Sequence, residues 1–165
     1  MRPPATSPFT LGTQDRNIPV GSAIDTRHGA VDLRAARPNS ASSVQDGQFS
    51  KGLFTVTQRS GQHGLTELDL TSPTSRTRVC SPGNAQSSTS IGAHVLALLS
   101  STVSGNFQTR GRYGAATVRG TVWDTIERCD GTLIRVIRGV VLVQDFRHHK
   151  TVTLKAGQQY LALAH

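Results

Sequence analysis

Apolar and polar positions alternate with a period of two along much of this chain, in short runs. GAVDLRA sets Val31 and Leu33 on one side and Asp32 and Arg34 on the other, the pattern of a half-buried strand. IPVGSAI precedes it as another short strand across the turn residues Asp25 to Gly29, while LFTVTQ and LTELDL read as a further pair joined by the tip SGQHG. The pattern is densest at the end of the chain. YGAATVRG, TVWDTIER, TLIRVIRG, VVLVQDF, KTVTLK and QYLALA are separated by Gly120, Asp130-Gly131, Gly139, His148-His149-Lys150 and Ala156-Gly157. Turns spaced by roughly eight to twelve residues occur in sandwiches, barrels and β-solenoids, so the prediction is an all-β fold of short antiparallel strands.

Other segments lack this alternation. Residues 1–17, with Pro3, Pro4 and Pro8, read as a disordered or extended lead, and a single β domain is expected over 18–163. Residues 36–48 read as a polar loop ending in Asp46-Gly47, and residues 71–90 as a long loop of Ser, Thr, Pro, Gly and Asn. IGAHVLALLSS fits a buried strand or a short helix, with His94 as a packed core histidine. IDTRHGAVDLRA and FQTRGRYGAATVRGT echo each other, which is compatible with two related β units, 18–70 and 105–163.

Asp-Gly suits a two-residue type I′ hairpin turn. At Asp130-Gly131 such a turn sets Cys129 opposite Thr132 and, further along, Trp123 opposite Arg138. Trp123 and Arg138 then form a cross-strand cation–π pair, or an aromatic platform for a ligand.

Composition narrows the setting. A chain of 165 residues can build one real core, and aromatics make up only 5% of it. The net charge is +8, and 15 of the 18 basic residues are Arg, which favours acidic partners; the alternative is Arg on strand faces keeping edges soluble. Cys80 and Cys129 have no zinc-like spacing. They either form a disulfide, anchoring the long loop at Cys80, or remain two separate thiols. No apolar run is long enough for a membrane span, and MRPPATSPFT lacks the apolar stretch of a signal peptide. Either the protein stays inside, or this is the trailing piece of a longer secreted protein.

Residues 107–163, and above all TRGRYGAATVRGTVW, the CDGTL turn, RGVVLVQD and TVTLKAGQQYLA, resemble the FecR-like β modules of secreted or envelope proteins of soil bacteria. IPVGSAIDTRHGAVDLRAA and GQFSKGLFTVTQ extend the resemblance to most of 18–163. It implies an extracytoplasmic β structure with a signalling or assembly role, export, and a disulfide involving Cys129. It implies no shared catalytic motif.

The chain has no G-x-S-x-G elbow, phosphate-binding glycine loop, H-E-x-x-H or EF-hand pattern. Asp124, Glu127 and Asp130, with Asp145, could give calcium an oxygen-rich site; the alternative pairs them with Arg128 and Arg135. Asp145 could orient His148, beside His149, as a general base, or the three could form a polar hairpin tip. If both clusters converge, the chain becomes a calcium-assisted hydrolase of a small ester or lactone. Arg110 and Arg112 in RGRYG could contact nucleic acid, or lead into a strand. The leading expectation is a non-enzymatic module that binds an acidic polymer, glycan or cell-envelope component through Arg-rich strand faces. The hydrolase comes second and nucleic-acid binding third.

Overall fold

The computed structural model describes residues 18–37, 40–58, 65–72, 80 and 95–164. Eleven strands occur in this order: β1 (Ala23–Asp25), β2 (Ala30–Arg37), β3 (Ser40–Ser50), β4 (Leu53–Gln58), β5 (Thr66–Thr71), β6 (Val95–Arg110), β7 (Gly114–Arg128), β8 (Gly131–Arg138), β9 (Val140–Asp145), β10 (Lys150–Lys155) and β11 (Gln159–Leu163). The described residues contain no helix, and the all-β expectation holds.

The organising element is the long β6–β7 hairpin. Its two strands pair antiparallel from Val95 with Arg128 to Arg110 with Ala115, interrupted by a bulge between Ser104 and Phe107. On one side of that bulge β6 pairs with β3, and β7 with β8. On the other side β6 pairs parallel with β5, and β7 with β9. A bulge adds twist and bends its strand. Here the hairpin doubles back so far that Thr109 and Thr125, from opposite halves, lie 2.6 Å apart through their hydroxyls.

Gly105 makes this crease. Its φ of +125° is a conformation that L side chains rarely adopt. The neighbouring Asn106 N–H donates to Gln45 Oε1 at 2.5 Å.

The folded sheet encloses its own core. Phe49 on β3, Phe54 on β4 and Phe107 on β6 form tilted aromatic pairs 5.5–5.8 Å apart. Val31, Leu68, Leu99, Trp123, Ile134, Val141 and Val143 join them from both halves. Each fully buried aliphatic contributes roughly 1.5–3 kcal/mol relative to exposure.

Several expectations are revised. Gln45, Asp46 and Gly47, assigned to a polar loop, belong to β3. Leu33 pairs with Gly47, and a side chain on Gly47 would strike the Phe49 ring, so the inward position is filled by its neighbour. The 95–110 stretch is one strand, carried through Ser- and Thr-rich positions that sequence pattern leaves unassigned. YGAATVRG and TVWDTIER are likewise one strand, β7, running through Gly120.

Asp130-Gly131 does not form a two-residue turn. The last β7–β8 pair is Glu127 with Thr132; beyond it Arg128 pairs with Val95 on β6 and Gly131 with Leu163 on β11, so Cys129 and Asp130 are the residues between the two strands. Arg128 is buried and clasps Asp130 with bonds of 2.8 and 2.5 Å, and Cys129 leaves the ladder to join Cys80. With a further irregularity between Val122 and Trp123, the register sets Trp123 opposite Val136 and Arg138 opposite Val122. The expected lead 1–17, the tip at 60–64 and His94 lie outside the described residues, as does most of the 71–90 loop.

Candidate functional site

Two turns meet at the end of the sheet opposite the crease. β9 pairs with the start of β7, Gly114 with Asp145, and the Phe146 N–H donates to the Tyr113 carbonyl at 3.1 Å. This brings the β6–β7 turn, Gly111 to Tyr113, beside the β9–β10 turn, Phe146 to His149.

Three cations stack on aromatic rings here. The Arg110 guanidinium lies 4.7 Å from the Phe146 centroid, Arg112 lies 5.8 Å from that of Tyr113, and the Lys150 amine lies 5.6 Å from that of Tyr160. Stacking holds a guanidinium flat while leaving its in-plane N–H groups able to meet a carboxylate or phosphate.

A cleft of about 270 Å³ runs along this end, between Asp69, Leu70 and Ser72 on one side and Arg110, Gly111, Arg112 and Glu127 on the other. Glu127 is a buried member of this lining. Its Oε2 accepts from the Arg112 N–H at 2.8 Å and the Thr132 hydroxyl at 3.0 Å, and Thr132 Oγ1 accepts from the Tyr113 N–H at 3.1 Å. Gly111 must lack a side chain, because a Cβ there would strike the Glu127 carboxylate and Thr132.

Asp145 is the second tie across this end. Its buried carboxylate accepts from the Tyr160 hydroxyl at 2.6 Å, from the His148 N–H at 3.1 Å, and meets His148 Nδ1 at 3.0 Å. Burial pushes this carboxyl up, but the bonds from Tyr160 and His148 outweigh it and hold the group below the usual aspartate value. Asp145 is therefore ionised at neutral pH and acts only as an acceptor, which puts the proton on His148 Nδ1. Burial, then the hydrogen bond it donates to the Asp145 carboxylate and the charge of that group, pushes the Tyr160 hydroxyl up to about 12. An imidazole oriented by a carboxylate can serve as a general base, yet His148 does not line the cleft.

The carboxylates expected to gather round a cation are held by different partners. Asp124 accepts from Ser100 Oγ at 2.8 Å and from Arg135 at 2.5 Å, Glu127 is tied to Arg112 and Thr132, and Asp130 pairs with Arg128. Among the described residues, no three His, Cys, Asp or Glu side chains are placed to hold a metal. Trp123 is 0% exposed and donates its indole N–H to Thr109 Oγ1 at 3.0 Å, so it offers no surface platform. Cys80 and Cys129 form a disulfide with Cα atoms 5.3 Å apart.

Charge is segregated along the second half of the chain. All four carboxylates between 95 and 164, Asp124, Glu127, Asp130 and Asp145, are buried. Arg110, Arg112, Arg119, Arg138, Arg147, Lys150 and Lys155 are all exposed. Sequence reading finds Arg110 and Arg112 but misses Phe146, Tyr113 and Tyr160, the rings beneath these cations. The adjacency RGRY and the aromatic in DFRHHK are the only local signals, since each ring acts across a turn or strand pair.

No family model matches the chain, and no curated protein matches it significantly. Among solved structures, it is similar to two crystal structures of a candidate anti-sigma factor from Parabacteroides distasonis. One is 13% identical with a TM-score of 0.43, the other 12% identical with a TM-score of 0.45. Each alignment covers 83% of this chain and 52% of the other, so this chain spans about half the length of those proteins.

Proposed function

We propose that this chain is a non-enzymatic, extracytoplasmic β module of the FecR-like kind, whose basic end binds an acidic polymer, glycan or cell-envelope component. The observation that carries the proposal is the charge segregation: every carboxylate of residues 95–164 is buried, while Arg110, Arg112, Arg147 and Lys150 are exposed on or beside two adjoining turns. Cations already stacked on rings lose less freedom on meeting an anion than free side chains do. The Cys80–Cys129 disulfide supports an oxidising setting, and no described helix is long and apolar enough to cross a membrane.

The test is titration of the protein with poly-glutamate, heparin and teichoic acid at low and high salt. Binding to at least one that weakens steeply with salt is expected, with Arg110→Gln/Arg112→Gln lowering affinity about tenfold or more. Salt-insensitive binding, or none to any of the three, would overturn the proposal. A nucleic acid that outcompetes all three in the same titration would replace the partner class.

The Asp145–His148 bond favours hydrolysis of a small ester or lactone as a second reading. Turnover on an ester and lactone panel that disappears in His148→Ala would establish it; turnover unaffected by that change would remove His148 from the chemistry.

A further inference from the structure

Five large hydrophobic residues are exposed among the described residues, and three of them fall within six positions of one another. Ile137 is 53% exposed, Val140 50% and Leu142 46%. They occupy the outward positions around the β8–β9 connection, alternating with Val136, Val141 and Val143, which face the core. The stripe sits at the crease end of β9, away from the turns that carry Arg110 and Arg147.

Cations frame the stripe. Lys155 is the cross-strand partner of Val140, and Arg138 lies between Ile137 and Val140 in the chain. Arg119 is brought alongside by a close backbone approach: a side chain on Gly139 would lie 2.8 Å from the Gly120 carbonyl oxygen, and the Thr121 hydroxyl donates to the Val140 carbonyl at 3.0 Å. The cross-strand neighbours of Leu142 are uncharged, Thr117 on one side and Thr153 on the other. The carboxylates of the strands that build this face, Asp124, Glu127 and Asp145, are all buried.

We propose that this face docks on an anionic lipid bilayer, with Ile137, Val140 and Leu142 entering the interface and Arg119, Arg138 and Lys155 meeting lipid phosphates. Aliphatic side chains gain by leaving water for the acyl boundary, while basic residues gain from the negative surface potential, each by about fivefold in partitioning. The framing charge is also what selects the occupant. A second copy docked face to face would set Arg119, Arg138 and Lys155 of the two chains against each other, whereas an anionic surface complements them.

The test is co-sedimentation of the full chain with phosphatidylglycerol/phosphatidylcholine vesicles and with phosphatidylcholine vesicles alone. Partitioning to the anionic vesicles only is expected. Ile137→Ser/Val140→Ser/Leu142→Ser should lower it at least tenfold although no charge is altered, and Arg119→Gln/Arg138→Gln/Lys155→Gln about a hundredfold. Arg110→Gln/Arg112→Gln should change it no more than a few-fold, which separates this face from the basic end. The single Leu142→Ser variant, in an exposed position between threonines, repeats the apolar test if the triple variant does not fold. The proposal is overturned if the protein ignores anionic vesicles, or if the serine variants bind as the parent does. It is equally overturned if the stripe instead drives self-association, seen as a concentration-dependent mass without lipid that Leu142→Ser abolishes.

Discussion

Tyr160 on β11 donates a 2.6 Å hydrogen bond to Asp145 at the end of β9, tying the last strand to the opposite half of the folded sheet. Because β11 pairs with β8, and β9 with β7 and β10, this bond bridges two strands that are not ladder neighbours. It closes the end of the sheet that the crease at Gly105 leaves open.

The pair should set the pH limits of the fold. Asp145 is held below its ordinary value, so its contribution is complete above about pH 4 and is lost as pH falls through the folded-state value. Tyr160 is raised to about 12, so its contribution is complete below about pH 10 and is lost as pH rises from there towards 12. Tyr160→Phe should cost about 1.5 kcal/mol at neutral pH, the usual size for a bond to a charged group. It should also flatten both limbs of the stability profile, measured by urea unfolding at pH 3, 7 and 11. Unchanged limbs would mean that other groups set them.

Reduction should loosen the molecule. The Cys80–Cys129 bond spans 49 residues, and the chain-entropy model assigns such a closure about 4 kcal/mol. Cys80→Ser/Cys129→Ser should lower the urea midpoint accordingly, and dithiothreitol should lower that of the parent but leave the double variant unaffected.

Trp123 reports directly on the register. Buried and bonded to Thr109, it should emit at short wavelength and resist iodide quenching. Arg138→Ala should leave that emission unchanged, because Arg138 faces Val122. A shift on Arg138→Ala would restore the surface stack expected from a tight turn.

Two glycines near the crease should respond differently. Gly105→Ala forces a side chain into a positive-φ position, within 2.5 Å of Gln45 Cβ, and should destabilise by roughly 2 kcal/mol. Gly120 has open space around its Cβ direction, so Gly120→Ala should stay within about 0.5 kcal/mol. Thermal unfolding of both variants checks the contrast.

The sequence by itself determined the β class and most of the C-terminal strands, because period-two alternation in TLIRVIRG, VVLVQDF and KTVTLK is written in neighbouring residues and ended by turn residues. It also placed Arg110 and Arg112 among the binding candidates. The strands at Ser40–Ser50 and Ser100–Arg110 were not legible. Between the apolar Phe49, Val103 and Phe107, inward positions are taken by Gln45, Gly47, Ser101 and Thr109, polar or small residues that interrupt the alternation; Gln45 and Thr109 meet hydrogen-bond donors elsewhere in the chain, the Asn106 N–H and the Trp123 indole. Only tertiary structure decided that β6 and β7 fold back at Gly105, that Arg128 pairs with Val95 on β6 and not across the β7–β8 turn, and that Phe146 lies beneath Arg110. Each depends on a contact between residues whose identities say nothing about one another until the hairpin has doubled over. The tie between Tyr160 and Asp145 belongs to the same class: strand alternation predicts that both residues exist on β11 and β9, and closure of the folded sheet alone brings them together.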